Sequence, residues 1–162
     1  MNDLFEQETE LQREKRRVFA EAQEEGCHCP LCGQFVKVYK RKITSTMARQ
    51  LLQFYKLTLR GKQWIHTREA VFDGSSGAGD FAKLSYWGLI EARPHEPGNE
   101  GKKTSGYWRI TERGVQFCLG QMKVPLHAYV YNHKVLEFSP ESTDITEALT
   151  EKFDYRELMD SD

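Results

Sequence analysis

No run of apolar residues in this sequence approaches the ~20 that a membrane-spanning helix needs. That absence excludes a helical membrane protein. The first residues, MNDLFEQETELQREKRR, are charged from the start, which is unlike a secretory leader, so a cytoplasmic protein is expected. Cysteine is scarce, with four in 162 residues. In a cytoplasmic setting four cysteines read as thiols or metal ligands, not as a disulfide framework. Enzyme signatures are lacking too. GSSGAGD (74–80) has neither the lysine nor the strand context of a phosphate-binding loop. GNEGKKTSG (98–106) contains GKKTS without the first glycine at the Walker spacing. No ordering of Ser, His and Asp can be argued for a catalytic triad, and no internal repeat is present. An enzyme is therefore not expected.

Acid is missing where base is plentiful. From Gly33 to Arg68 there is no Asp or Glu, but there are nine Lys or Arg. The formal net charge of −1 hides this division. Residues 1–25 carry net −4, residues 140–162 net −6, and the middle net +9. A basic middle between acidic ends fits a protein that contacts nucleic acid. Uneven charge that merely keeps a small protein soluble is the plainer alternative.

The length suits one domain with extensions. Residues 1–25 form a charged N-terminal helix in which Leu4, Leu11 and Val18 are seven apart. Such a stripe packs on the domain or on a second copy. Residues 26–42 hold a cysteine loop and a basic strand, with Phe35, Val36, Val38 and Tyr39 alternating in part. Within 43–139, Thr44 or Ser45 caps a helix carrying Met47, Leu51 and Phe54 or Tyr55. KQWIH reads as a short strand, and Thr67 as the cap of a short helix. Phe81, Leu84 and Trp87 form a helical face that ends at Gly88, the left-handed C′ position. Leu89 and Ile90 open a strand, and YWRIT returns as another after a polar Gly- and Pro-rich loop. Thr111 caps the helix ERGVQFCLG, and HAYVYNHKVLEF reads as a hairpin turning at Asn132–His133. Trp64, Trp87 and Trp108 are expected in the core rather than as stacking platforms for bases. Residues 140–162 form an acidic tail with a helix from about Thr146. Its apolar anchors would be Leu149 and Phe153.

Helix, strand, helix, helix, strand, loop, strand, helix is the order of a winged helix-turn-helix. Two stretches, YWGLIEAR (86–93) and GYWRITERG (106–114), resemble bacterial repressors of the MarR and ArsR types. In those, the recognition helix ends on a GLIE-like turn and the wing's second strand closes on T-E-K/R-G. The likeness covers about residues 45–120. The chain as a whole is similar to small phage and prophage proteins that carry a CPxCG loop ahead of a winged helix. The resemblance implies an α+β winged-helix fold, here with an N-terminal helix, a zinc-knuckle-like loop and a C-terminal hairpin plus helix.

GCHCPLCG (26–33) places Cys27, His28, Cys29 and Cys32 within six positions. C-P-L-C-G has the form of a zinc knuckle, a tight turn that aims two sulfurs at one point. Cys27 adds a third thiol. The second Cys pair of a zinc ribbon is absent, so the fourth ligand would be His28 or a remote group such as Cys118 or His66. Structural zinc, a reactive thiol cluster and a metal-free turn are the three readings.

For duplex DNA, the basic strand and first helix offer Lys37, Lys40, Arg41, Lys42 and Arg49 to phosphates, and the wing offers Lys102 and Lys103. The recognition helix would present Ser75, Ser76 and Lys83, with no Arg, Asn or Gln for bidentate base contacts. The expectation is a DNA-binding protein, a transcription regulator of phage or bacterial type. Its alternatives are a protein-interaction module, such as a phage-type modulator of a host protein, and a thiol or metal sensor. The expected partners are duplex DNA, a second copy through the N-terminal helix, or another protein, and no membrane.

Overall fold

The structure is a computed structural model that describes residues 9–70, 78–95, 97–98 and 106–161. It is mixed α+β, with short antiparallel sheets around a central helix. Helix α1 (Glu10–Gln23) starts at Thr9, whose hydroxyl accepts the Gln12 N–H while the Gln12 side chain accepts the Thr9 N–H. That reciprocal box satisfies two donors that a bare helix end leaves open. The chain then forms β1 (Cys27–His28), β2 (Phe35–Val36) and β3 (Tyr39–Lys42). The single basic strand expected over this region is divided. Phe35 and Val36 pair with β1, whereas Tyr39–Lys42 join a different sheet.

Helix α2 (Ser45–Leu59) is capped by Thr44, whose hydroxyl accepts the Met47 N–H. Met47, Ala48, Leu51, Leu52, Phe54 and Tyr55 are buried, a width of stripe that only a helix packed on several sides needs. Next come β4 (Ile65–His66), α3 (Thr67–Ala70) and α4 (Ala78–Phe81), which continues as a 3₁₀ turn over Ala82–Trp87. Thr67 is the first helical residue, and its hydroxyl donates to the Gly106 carbonyl, so it ties α3 to a strand instead of capping it. Gly88, at φ 69°, ends the 3₁₀ turn in the left-handed region that a side chain would disfavour.

Strands β5 (Ile90–Ala92) and β6 (Tyr107–Ile110) pair antiparallel, and β4 adds to β6, giving the order β4-β6-β5. Helix α5 (Glu112–Cys118) follows, capped by the Thr111 hydroxyl on the Gly114 N–H. A second three-stranded sheet has the order β3-β8-β9, with β8 (His127–Tyr131) and β9 (Lys134–Phe138) joined by a two-residue turn. Asn132 and His133 both have positive φ there, as a turn matching the twist of a hairpin requires. Short strands β7 (Val124–Pro125) and β10 (Ser142–Thr143) pair before α6 (Ile145–Leu149) and α7 (Tyr155–Asp160) close the chain.

Around α2 the core gathers Phe81, Leu84, Trp87, Trp108 and Phe117, together with Ile145 and Leu149 from the C-terminal segment. Phe54 and Phe81 meet at 5.0 Å between ring centroids. Of the three tryptophans, Trp87 and Trp108 are buried as expected. Trp64 is half-buried beneath the Arg109 guanidinium, 4.9 Å from its ring. The acidic C-terminal segment is part of this fold. Asp144 and Glu147 make a capping box for α6, and Leu149 is fully buried. Tyr155 donates its hydroxyl to the Cys118 carbonyl at 2.8 Å.

Candidate nucleic-acid interface

Antiparallel pairing decides which basic side chains share a surface. Lys40 stands opposite Tyr129 and Lys42 opposite His127 across the β3–β8 ladder. Directly opposed residues project to the same side of a sheet. Along β8, Ala128 and Val130 are buried while His127, Tyr129 and Tyr131 are partly exposed. The outer face of this sheet therefore interleaves Lys40 and Lys42 with Tyr129 and His127. The Lys40 ammonium lies 5.8 Å from the centre of the Tyr129 ring. Ammonium over an aromatic face is attractive and leaves the charge open to water or an anion.

Tyr39 and Arg41 alternate to the other side of β3, at the edge of the sheet. Arg41 covers the Tyr39 ring at 4.7 Å, and Lys37 approaches the same ring at 6.0 Å. Lys40, Arg41 and Lys42 thus divide between two sides of one edge strand, and Lys37 lies just before it. Charge on an edge strand also blocks unwanted strand pairing. The face carries local acid as well. Glu137 stands opposite Tyr129, and the Glu141 carboxyl, held below its usual range by its own backbone N–H and the Ser139 hydroxyl, feels Lys40 and His127.

His127 is pushed below the ordinary imidazole range, first by burial and then by Lys40, with Lys42 adding to the effect. Its Nδ1 is buried and has no hydrogen-bond partner among the described residues. Sequence reasoning missed His127 and Tyr129. The alternation in HAYVY was the signal that could have found them, because it fixes which side chains of β8 face outward.

The remaining expected DNA contacts are scattered. Arg49 lies on α2 with its guanidinium 5.2 Å from the Phe153 ring, so the C-terminal segment covers it. Lys56, which is also on α2, donates to the carbonyl of Leu158 at 3.0 Å and is not one of those expected contacts. Lys83 is paired with Asp80 one turn away. Ser75, Ser76, Lys102 and Lys103 lie outside the described residues. Of the acids of the C-terminal segment, Glu141 lies within the field of Lys40, whereas Glu147 and Asp144 meet Lys123 at 3.1 Å and 3.5 Å.

In the cysteine loop, Cys29 and Cys32 come together. The Gly33 N–H donates to the Cys29 carbonyl at 2.8 Å, and the Cys29 N–H to the Gln34 carbonyl at 2.8 Å. The backbone N–H groups of Cys32 and Leu31, with the Cys32 side chain, hold the Cys29 thiol below its usual range. Cys27 donates its thiol to the Val18 carbonyl of α1 at 3.6 Å. His28 packs edge-on against Phe35 at 5.3 Å. Cys118 is fully buried, its thiol pushed far up by desolvation. The expected cluster of Cys27, His28, Cys29 and Cys32 is thus reduced to one pair. Among the described residues no group of three or more His, Cys, Asp or Glu is placed to hold a metal ion.

Among the described residues no helix is long and apolar enough to cross a membrane. No protein-family model matches the chain significantly, and neither does any curated protein or solved structure.

Proposed function

We propose that the protein binds duplex DNA, in the manner of a small transcription regulator, with β3 and its sheet as the phosphate-contacting surface. The observation that carries this reading is the outer face of the β3-β8-β9 sheet, where Lys40 and Lys42 are interleaved with Tyr129 and His127. None of the side-chain ion pairs within 4 Å among the described residues involves these lysines. Lysines outside ion pairs break no salt bridge when they meet phosphate, and the released counterions drive association.

The order of α2, β4, α3, α4, β5, β6 and α5, with β4 added to a β5–β6 hairpin, supports a winged-helix reading of residues 43–119. In that reading α4 and its 3₁₀ extension occupy the recognition position. With Lys83 tied to Asp80, phosphate contact outweighs base reading, so the binding is weakly sequence-specific.

A titration of the full chain against labelled random-sequence duplex at low ionic strength tests this. Binding that weakens steadily with added salt is the expected result. Absence of binding at low ionic strength would refute it.

A further inference from the structure

In the cysteine loop Cys32 is exposed and Cys29 half-buried, while the Cys27 thiol is bonded to a carbonyl of α1. Cys29 and Cys32 stand at the ends of a turn closed by the Gly33 N–H on the Cys29 carbonyl and the Cys29 N–H on the Gln34 carbonyl, both at 2.8 Å. Such a turn is the form in which a knuckle presents two thiolates to zinc. Cys27 is engaged with α1 and His28 with Phe35, so neither completes the set. A structural zinc site needs four ligands, and this loop supplies two.

The surroundings of the pair point to where the other two come from. Cys32 is exposed, and Leu31, between the cysteines, is 83% exposed. Cys29 and Leu31 form one wall of an open groove of about 660 Å³. Its other wall is α1, where Leu11 and Phe19 are 52% and 54% exposed. Leu136 also lines the groove and is exposed. An apolar groove that reaches Cys29, with exposed Cys32 one turn on, calls for a partner that covers the one and completes the other. A second copy of this chain carries both features. A two-fold axis through the metal would place thiol pair against thiol pair and apolar wall against apolar wall. Helix α1 mixes three acids with four bases, so it does not repel its own image strongly.

We propose that Cys29 and Cys32 of two copies hold one zinc ion between them, joining the copies through the α1 groove. Four thiols lose four protons to solvent as four sulfur–zinc bonds form, and no electrons are transferred. The site is independent of DNA binding, since it uses none of the β3 cations.

The test is zinc content and mass in solution, measured on one sample of full-length protein purified without chelator. The expected result is one zinc per two chains in a dimer. A strong chelator should return a folded monomer, and re-added zinc should restore the dimer. Cys29→Ser and Cys32→Ser should each abolish both zinc and dimer, whereas Cys27→Ser should retain them. Because chelation is applied to the unaltered chain, a folding defect in a variant does not blur the result. One zinc per monomer, a dimer that survives chelation, or protein without zinc would each overturn the proposal.

Discussion

Lys42 and His127 face each other across the β3–β8 ladder, with Lys40 one pair along on the same side. The imidazole is held below its ordinary range in a partly buried place, by desolvation first and the lysines second. This gives a stability term with a definite sign. The folded-state value lies below the unfolded one, about 6.5. The contribution is therefore complete above about pH 6.5 and is lost as pH falls through the folded value. His127→Gln removes the titration. Chemical denaturation between pH 7.5 and 5.5 should show the unaltered chain losing more stability than the variant. Equal losses would mean that His127 is as free to protonate as in the unfolded chain.

Gly114 is required by close approach, not by backbone angle. A Cβ there would lie 2.1 Å from the Leu89 carbonyl oxygen and 2.7 Å from Ile110 Cγ1. The helix start cannot move freely, because the Thr111 hydroxyl donates to the Gly88 carbonyl and Arg113 Nε to the Trp87 carbonyl. Gly114→Ala should cost about 1–3 kcal/mol, as overpacking of a fixed site does. Denaturant unfolding measures it. A change within the error of the measurement would show that α5 slides away without cost.

The C-terminal segment should behave as core. Leu149 is fully buried beside α2, and Ile145 and Ala148 lie in the same cluster. Leu149→Ala should destabilise by about 2–5 kcal/mol. Deleting residues 140–162 should abolish cooperative thermal unfolding. A truncated chain that melts as sharply and as high as the full one would make the segment a separable appendage.

Much of this was legible in the sequence, and for identifiable reasons. Thr44 and Thr111 were readable as caps because a hydroxyl before an apolar repeat has few other uses, and both accept the expected N–H. Gly88 was readable because a helix end needs a left-handed residue. The stretches YWGLIEAR and GYWRITERG turn out to interlock. Ile90 pairs with Ile110, Thr111 bonds to Gly88, and Gly114 packs on Leu89. What could not be read was partnership across distance. That β3 would pair with β8, more than eighty residues later, depends on tertiary packing, and with it the placing of Tyr129 and His127 beside the lysines. The orientation of Cys27 was hidden for the same reason, since its partner is a carbonyl of α1. The acidic C-terminal segment was legible through its apolar anchors, since Leu149 is fully buried and Phe153 packs against the core, but the burial of Ile145 beside them depends on tertiary packing.

The central claim, that the β3 surface contacts phosphate, is tested most directly by the salt dependence of duplex binding. Fluorescence anisotropy on random and genomic duplexes, over a series of salt concentrations, compares the unaltered chain with Lys40→Gln/Arg41→Gln/Lys42→Gln. The variant should bind every duplex more weakly, with a log–log salt slope flatter by about 0.9 for each phosphate it no longer neutralises. Its thermal unfolding should stay close to that of the unaltered chain, because Lys40 and Lys42 are exposed and Arg41 only partly covered. Affinity and slope that are unchanged in a folded variant would contradict the claim and assign these three cations to guarding the edge of their sheet.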